Sequence, residues 1–286
     1  VPKTILTNRD IEDIARQGIY TLTLDADTLL TDLAYETARR LGVALVPTPQ
    51  EPSPADPPAG ERPGRNLLRF TPQTGEAAIR AAIIETGRIA YQSGLMISND
   101  GNISARMANG NILITPSGVC KGRIGPEDLL VIDPQGRLVK PAADPSLKPT
   151  SEQPMHLEVY RQRPDARAVI HTHLVFANAL VISQGSVRMD VIPEAAVAFG
   201  SIPVTDYALP SSAQNAEAIR GLVGSHDVML IRNHGSLAVG RDLDEALIRT
   251  ERLEHVSRTL LYAGLLGKIN PLPPEMLEAL KQTSNR

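Results

Sequence analysis

The chain has 286 residues, 42% of them hydrophobic and 21% charged, with a formal charge of -3; this supports a sizeable core and argues against a nucleic-acid footprint or a basic membrane patch. The single cysteine, Cys120, excludes an intramolecular disulfide, no apolar run approaches the roughly 18 residues of a membrane span, and Val1-Pro2-Lys3 carries neither region of a secretory leader. A cytoplasmic enzyme touching neither nucleic acid nor membrane is the expectation, and the absence of Trp disfavours a lectin-like stacking surface.

Residues 1–46 read as a small α/β segment. Thr7 and Asp10 have the spacing of a capping box ahead of Ile11 and Ile14, and Gly18 sits where that helix would stop. Residues 19–24 alternate as a strand. Leu29, Leu30, Leu33 and Ala34 then recur at helical spacing up to Gly42, and residues 43–46 read as a second strand. No internal repeat is evident. Without clustered catalytic residue types, the segment reads as a docking or oligomerisation appendage. Residues 47–72, including PTPQEPSPADPPAGERPG, are dense in proline and read as an extended linker.

Residues 73–286 carry the chemistry. Helical periodicity at 76–93, 152–162, 175–183, 212–221 and 243–263 is intermixed with short strands at 102–104, 111–115, 129–132, 168–171 and 228–231. That mixture predicts an α/β sandwich.

His171-Thr172-His173 ends an apolar run. On a strand, residues i and i+2 share a face, so both imidazoles can approach one ion; paired structural histidines are the alternative. Asn233-His234-Gly235 places another histidine at a strand end, and Thr150-Ser151-Glu152 places a carboxylate at the start of a helix. Three histidines and a glutamate can complete a four-coordinate zinc site, with a labile Glu152 leaving room for substrate oxygens. His156, one helical turn after Glu152, is either a supporting residue or a packed one; His226 and His255 read as structural or exposed. The turn at 98–104, with Gly101 and Asn102, and the turn with Ser117 and Gly118 expose donors suited to an anion, as does Thr150-Ser151 at a helix start. Lys121 and Arg123 beside them read as a solvated surface pair, with electrostatic support of the site as the other reading.

The order Ser-Glu, His-x-His, His-Gly over residues 75–270 resembles the class II aldolase and adducin family, its fuculose-phosphate aldolase branch most. The resemblance implies a three-layer αβα sandwich with a mixed, mostly antiparallel central sheet. It implies zinc held by Glu152, His171, His173 and His234, with Glu152 also able to leave the metal and act as acid/base. It implies a phosphorylated ketose cleaved through a metal-stabilised enediolate, its phosphate held by Gly101, Asn102, Ser117, Gly118, Thr150 and Ser151. A homotetramer with active sites between subunits follows from the same likeness, and short segments like 1–46 accompany some enzymes packed into bacterial microcompartments.

One departure stands out. The family tyrosine that assists on the aldehyde side, donated by a neighbouring subunit, is missing from Val191-Ile192-Pro193-Glu194-Ala195-Ala196. Glu194 is the proton-transfer residue left there, resembling the family's methylthioribulose-phosphate dehydratases; it is either an acid/base or an ion-paired surface carboxylate. Tyr207 lies where the family often has a packing tyrosine. The missing tyrosine leaves dehydration, decarboxylation and 4-epimerisation open beside aldol cleavage. A non-catalytic adducin-like scaffold is disfavoured because adducin heads lack these ligands.

Overall fold

The computed structural model describes residues 4–24, 28–47 and 67–284, in two compact units, Val1–Gly60 and Glu61–Arg286. Most of the proline-rich stretch, residues 48–66, lies outside the described residues.

The first unit runs β1 (Thr4–Leu6), α1 (Asn8–Arg16), β2 (Thr21–Leu24), β3 (Thr28–Leu30), α2 (Asp32–Leu41) and β4 (Ala44–Pro47). The expected capping box forms, with the Asp10 carboxylate accepting from the Thr7 N–H at 2.7 Å. The helix expected from Leu29 starts later. Leu29 and Leu30 belong to β3, and the Thr31 hydroxyl caps α2 by accepting from Ala34 N–H. The unit also contains the same β-α-β motif twice, a repeat that the sequence reading missed. Each half is β-α-β, opened by a threonine cap (Thr7, Thr31) and closed by a positive-φ glycine (Gly18, Gly42). β1 pairs in parallel with β3, and β2 with β4. Position by position the halves share Thr4 and Thr28, Leu6 and Leu30, Thr7 and Thr31, Glu12 and Glu36, Arg16 and Arg40, and Gly18 and Gly42, a likeness that the strand pairing makes plain. Ile11, Ala34, Ala38 and Val43 form its small core.

In the second unit, Leu68 and Phe70 at the end of the proline-rich stretch are packed into the core. The order continues α3 (Glu76–Gln92), β5 (Asn102–Arg106), β6 (Ile112–Ile114), β7 (Leu130–Ile132), β8 (Leu138–Lys140), α4 (Gln153–Gln162), β9 (Ala168–Thr172), α5 (Val175–Gln184), α6 (Pro193–Phe199), α7 (Ala213–Arg220), β10 (Val228–Ile231), β11 (Gly235–Gly240), α8 (Leu243–Leu266) and α9 (Pro274–Ser284). A seven-stranded sheet has the order β10-β11-β9-β5-β6-β7-β8. Its ladders are antiparallel, and Val204 adds a parallel bridge to Leu230 in β10. This is the mixed, mostly antiparallel sheet expected.

Alternation along the strands builds three layers. Ile103, Ala105 and Ile170 join the core formed with α3, α5 and α8, whereas Val169, Ile231 and Val239 join the core formed with α4 and α7. Helices cover both faces of the central strands, so β6, β7 and β10 read as continuous apolar runs, whereas β8 is exposed. β11 escaped the sequence reading because its Gly235-Ser236 start resembles a turn.

Candidate metal centre

Adjacent ends of three elements converge here. β9 ends in His171-Thr172, and His173 follows two residues on, facing the same way as His171. β10 and β11 form a tight hairpin in which Asn233 takes a left-handed φ of 55° and His234 N–H bonds Ile231 O at 3.0 Å. β11 pairs with β9, setting His234 beside the other two histidines. Glu152 is the N-cap residue of α4, on the sheet face that His171 shares.

The four side chains each offer a ligand atom, and these atoms all lie within 4.8 Å of one another. His171 Nε2 is 3.1 Å from Glu152 Oε2 and 3.1 Å from His173 Nε2, and His234 Nε2 is 3.3 Å from Glu152 Oε1. His171 Nδ1 donates to Ser236 O at 2.8 Å, which directs Nε2 into the cluster. Burial, then the neighbouring His171, pushes His234 down to about 4 and also lowers His173. For Glu152 burial acts upward, but hydrogen bonding from His171, its charge and the Asn102 amide hold the carboxyl well below its usual range. The facing imidazole nitrogens and the carboxylate form a donor set that fits a divalent transition ion. The His234 Nδ1, buried without a partner among the described residues, is a further sign that this cluster is incomplete by itself.

Behind the cluster lies a polar ladder. On β5, Asn102, Ser104 and Arg106 share a face; opposite stand Glu152, His156 and Tyr160, one turn apart along the start and length of α4. Asn102 Nδ2 donates to Glu152 Oε2 (2.9 Å), and His156 Nε2 donates to Asn102 Oδ1 (2.5 Å). Ser104 donates to His156 Nδ1 (2.7 Å), and Tyr160 OH donates to Ser104 Oγ (2.8 Å). Asn215 Nδ2 reaches the other Glu152 oxygen at 3.2 Å. Burial pushes His156 down to about 3, so it is neutral and its two nitrogens can play these opposite roles. His156 is therefore a supporting residue. The sequence signal for the whole row is Asn-x-Ser-x-Arg on a strand facing Glu-x-x-x-His-x-x-x-Tyr on a helix, and only the tertiary pairing connects the two.

The donor-rich turns also meet. Thr115 N–H bonds Ile103 O, Thr150 N–H bonds Thr115 O, and Ser117 N–H bonds Lys148 O. Gly101-Asn102, Ser117-Gly118 and Thr150-Ser151 are thereby brought side by side. Ser117, Gly118 and Ser151 are exposed, whereas Thr150 and Asn102 are buried. Lys121 departs from the surface reading: it is 3% exposed. Arg123 is exposed, with its guanidinium over the Tyr91 ring. Glu194 is not part of the cluster. It sits exposed in the first turn of α6, in a groove of about 500 Å³ with Glu251, Arg252 and His255 of α8, and makes no hydrogen bond or ion pair with the four clustered side chains among the described residues.

A three-layer sheet carrying three histidines and a carboxylate at one end defines an enzyme of the metal-dependent lyase type. The chain belongs to the class II aldolase and adducin family, matching the Class II Aldolase and Adducin N-terminal domain over residues 81–261. It is 29% identical over 195 residues to the 3-oxo-tetronate 4-phosphate decarboxylase of Pectobacterium atrosepticum, covering 67% of this chain and 87% of that one. It is 32% identical over 175 residues to the L-fuculose phosphate aldolase of Methanococcus vannielii, covering 61% and 91%. The crystal structure of YgbL from Klebsiella pneumoniae superposes with a TM-score of 0.67 at 28% identity, covering 72% of this chain and 99% of that one. No helix among the described residues is long and apolar enough to cross a membrane.

Proposed function

We propose that this enzyme is a zinc-dependent, cytoplasmic lyase that cleaves a carbon–carbon bond of a phosphorylated ketose resembling fuculose 1-phosphate. The observation that carries the reading is the convergence of Glu152, His171, His173 and His234 beside three donor-rich turns. When bound, the divalent ion supplies Lewis acidity for the negative charge that develops on substrate oxygens. The chain does the rest. His171, His173 and His234 hold the ion; Glu152, oriented by Asn102 and Asn215, moves a proton at the substrate carbon; Gly101, Asn102, Ser117, Gly118, Thr150 and Ser151 hold the phosphate. Asn102 keeps one amide hydrogen for that purpose beyond its bond to Glu152. Glu194 is the second acid/base, serving the site of a neighbouring subunit in a homotetramer. Residues 1–46 act as a docking or oligomerisation appendage to a catalytic domain of residues 73–286.

A second reading, decarboxylation of a phosphorylated 3-oxo acid, is favoured by the absence of tyrosine from residues 191–196 and by the decarboxylase relative. Dehydration and 4-epimerisation use the same site chemistry. The deciding experiment offers the zinc-loaded protein ketose 1-phosphates, 3-oxo-tetronate 4-phosphate, methylthioribulose phosphate and pentulose phosphates. Dihydroxyacetone phosphate, carbon dioxide and dehydrated or epimerised products are each measured. Release of dihydroxyacetone phosphate from a ketose 1-phosphate without carbon dioxide, lost in His171→Ala and His173→Ala, supports the first reading; dihydroxyacetone phosphate formed from 3-oxo-tetronate 4-phosphate with an equal amount of carbon dioxide supports the second. Full turnover by a metal-free protein would overturn both.

A further inference from the structure

Lys121 is a buried amine with no ion-pair partner among the described residues. It opens a short 3-10 turn, Lys121–Arg123, and α3 presses on it closely: a Cβ built on Gly87 would stand 2.3 Å from Lys121 O, so only glycine fits there. Its ammonium donates to Asn99 O at 2.5 Å and to Val119 O at 2.9 Å. Among the described residues no carboxylate lies within 4 Å of it, so it forms no ion pair. Two of its three donors are used, both on neutral carbonyls. Burial lowers this amine to about 8, against the raising influence of Asp100, Cys120 and Glu152.

The two carbonyls belong to the two turns that carry Gly101 and Ser117-Gly118. One residue beyond Asn99, Asp100 Oδ2 stands 3.6 Å from His173 Nδ1, which puts this ammonium on the flank of the metal cluster. A buried cation without an anion is costly unless a partner arrives, and a dianion entering between these turns is such a partner.

We propose that Lys121 is the specificity-determining charge for the anionic end of the substrate: it ties the 98–101 and 117–119 turns together and supplies the positive charge that a phosphate neutralises. This deepens the reading of the site as one for a phosphorylated substrate. A simple loop staple would have the same two carbonyl bonds and no effect on anion preference.

The test separates these. Inorganic phosphate is titrated calorimetrically into zinc-loaded wild type, Lys121→Met, Lys121→Gln and Lys121→Arg, with thermal melts run on each. Neutral variants should bind phosphate on the order of 10- to 100-fold more weakly, with Lys121→Arg within about threefold of wild type. With the substrate identified, KM should rise for the phosphorylated form and not for its dephosphorylated analogue. Lys121→Gln, which keeps one amide donor for a carbonyl, carries the test if Lys121→Met does not fold. Unchanged phosphate affinity in a folded neutral variant, or equal losses for phosphorylated and dephosphorylated substrates, overturns the proposal. Phosphate binding needs no turnover, so failure of the lyase reading leaves this result interpretable.

Discussion

His156 Nε2 lies 2.5 Å from Asn102 Oδ1, and this one bond decides which end of the Asn102 amide faces Glu152. With the oxygen engaged by His156, the amide N–H is presented to the carboxylate. An amide rotated by half a turn would set two oxygens against each other. The metal-facing carboxylate is thus oriented by a residue that cannot itself reach an ion.

Replacing His156 with Leu removes the donor that fixes Asn102. We expect zinc affinity, measured by competition with a chromophoric chelator, to fall about 10- to 100-fold, whereas His156→Gln, which retains an amide donor, recovers most of it. Equal zinc affinity in His156→Leu and wild type would show that Asn102 is held by other contacts.

The same histidine makes stability pH-dependent. Its pKa falls to about 3 in the folded protein, against an ordinary 6.5. As pH drops below 6.5 the unfolded chain takes up a proton that the folded chain refuses, so stability falls toward pH 3; above 6.5 neither form carries it. Urea unfolding of metal-free protein between pH 7 and pH 4 should therefore be steeper in pH for wild type than for His156→Gln. The difference should approach about 1.4 kcal/mol per pH unit. Parallel slopes would mean that His156 is protonated in the folded state.

Gly235 is the close approach that lets β11 reach the histidines. A Cβ there would stand 2.3 Å from Thr172 O and 3.0 Å from His171 Cε1. Because the nearest obstacle is backbone, Gly235→Ala must displace β11 from β9. We expect a loss of roughly 1–3 kcal/mol in stability together with lowered zinc content by atomic absorption. Gly221→Ala, which meets nothing within 4 Å, is the matched control and should leave both unchanged.

Helix α5 follows His173 directly and has no side-chain cap of its own. Glu254 from α8 fills that role across the fold, accepting from Phe176 N–H and Ala177 N–H at 3.1 Å each. Glu254→Ala should cost on the order of 1–2 kcal/mol by denaturant titration. Glu254→Gln, which keeps one acceptor, should cost less. If Ala and Gln are equivalent, the cap contributes little.

The sequence by itself indicated the class of fold, through the alternation of helical and strand periodicities, and it singled out the four side chains that cluster, because His171-Thr172-His173 on a strand commits two imidazoles to one face and the family resemblance added Glu152 and His234. It could not determine the Asn102–His156 bond or the burial of Lys121. Those depend on which strand lies beneath α4 and how closely α3 approaches the 3-10 turn, and neither distance is encoded in local spacing. The repeated β-α-β motif of the first unit was passed over for a related reason: its matching residues lie far apart along the chain, and helix and strand periodicity reports only neighbours. Local pattern names the chemical groups; long-range packing decides which of them face one another, and with what charge left unpaired.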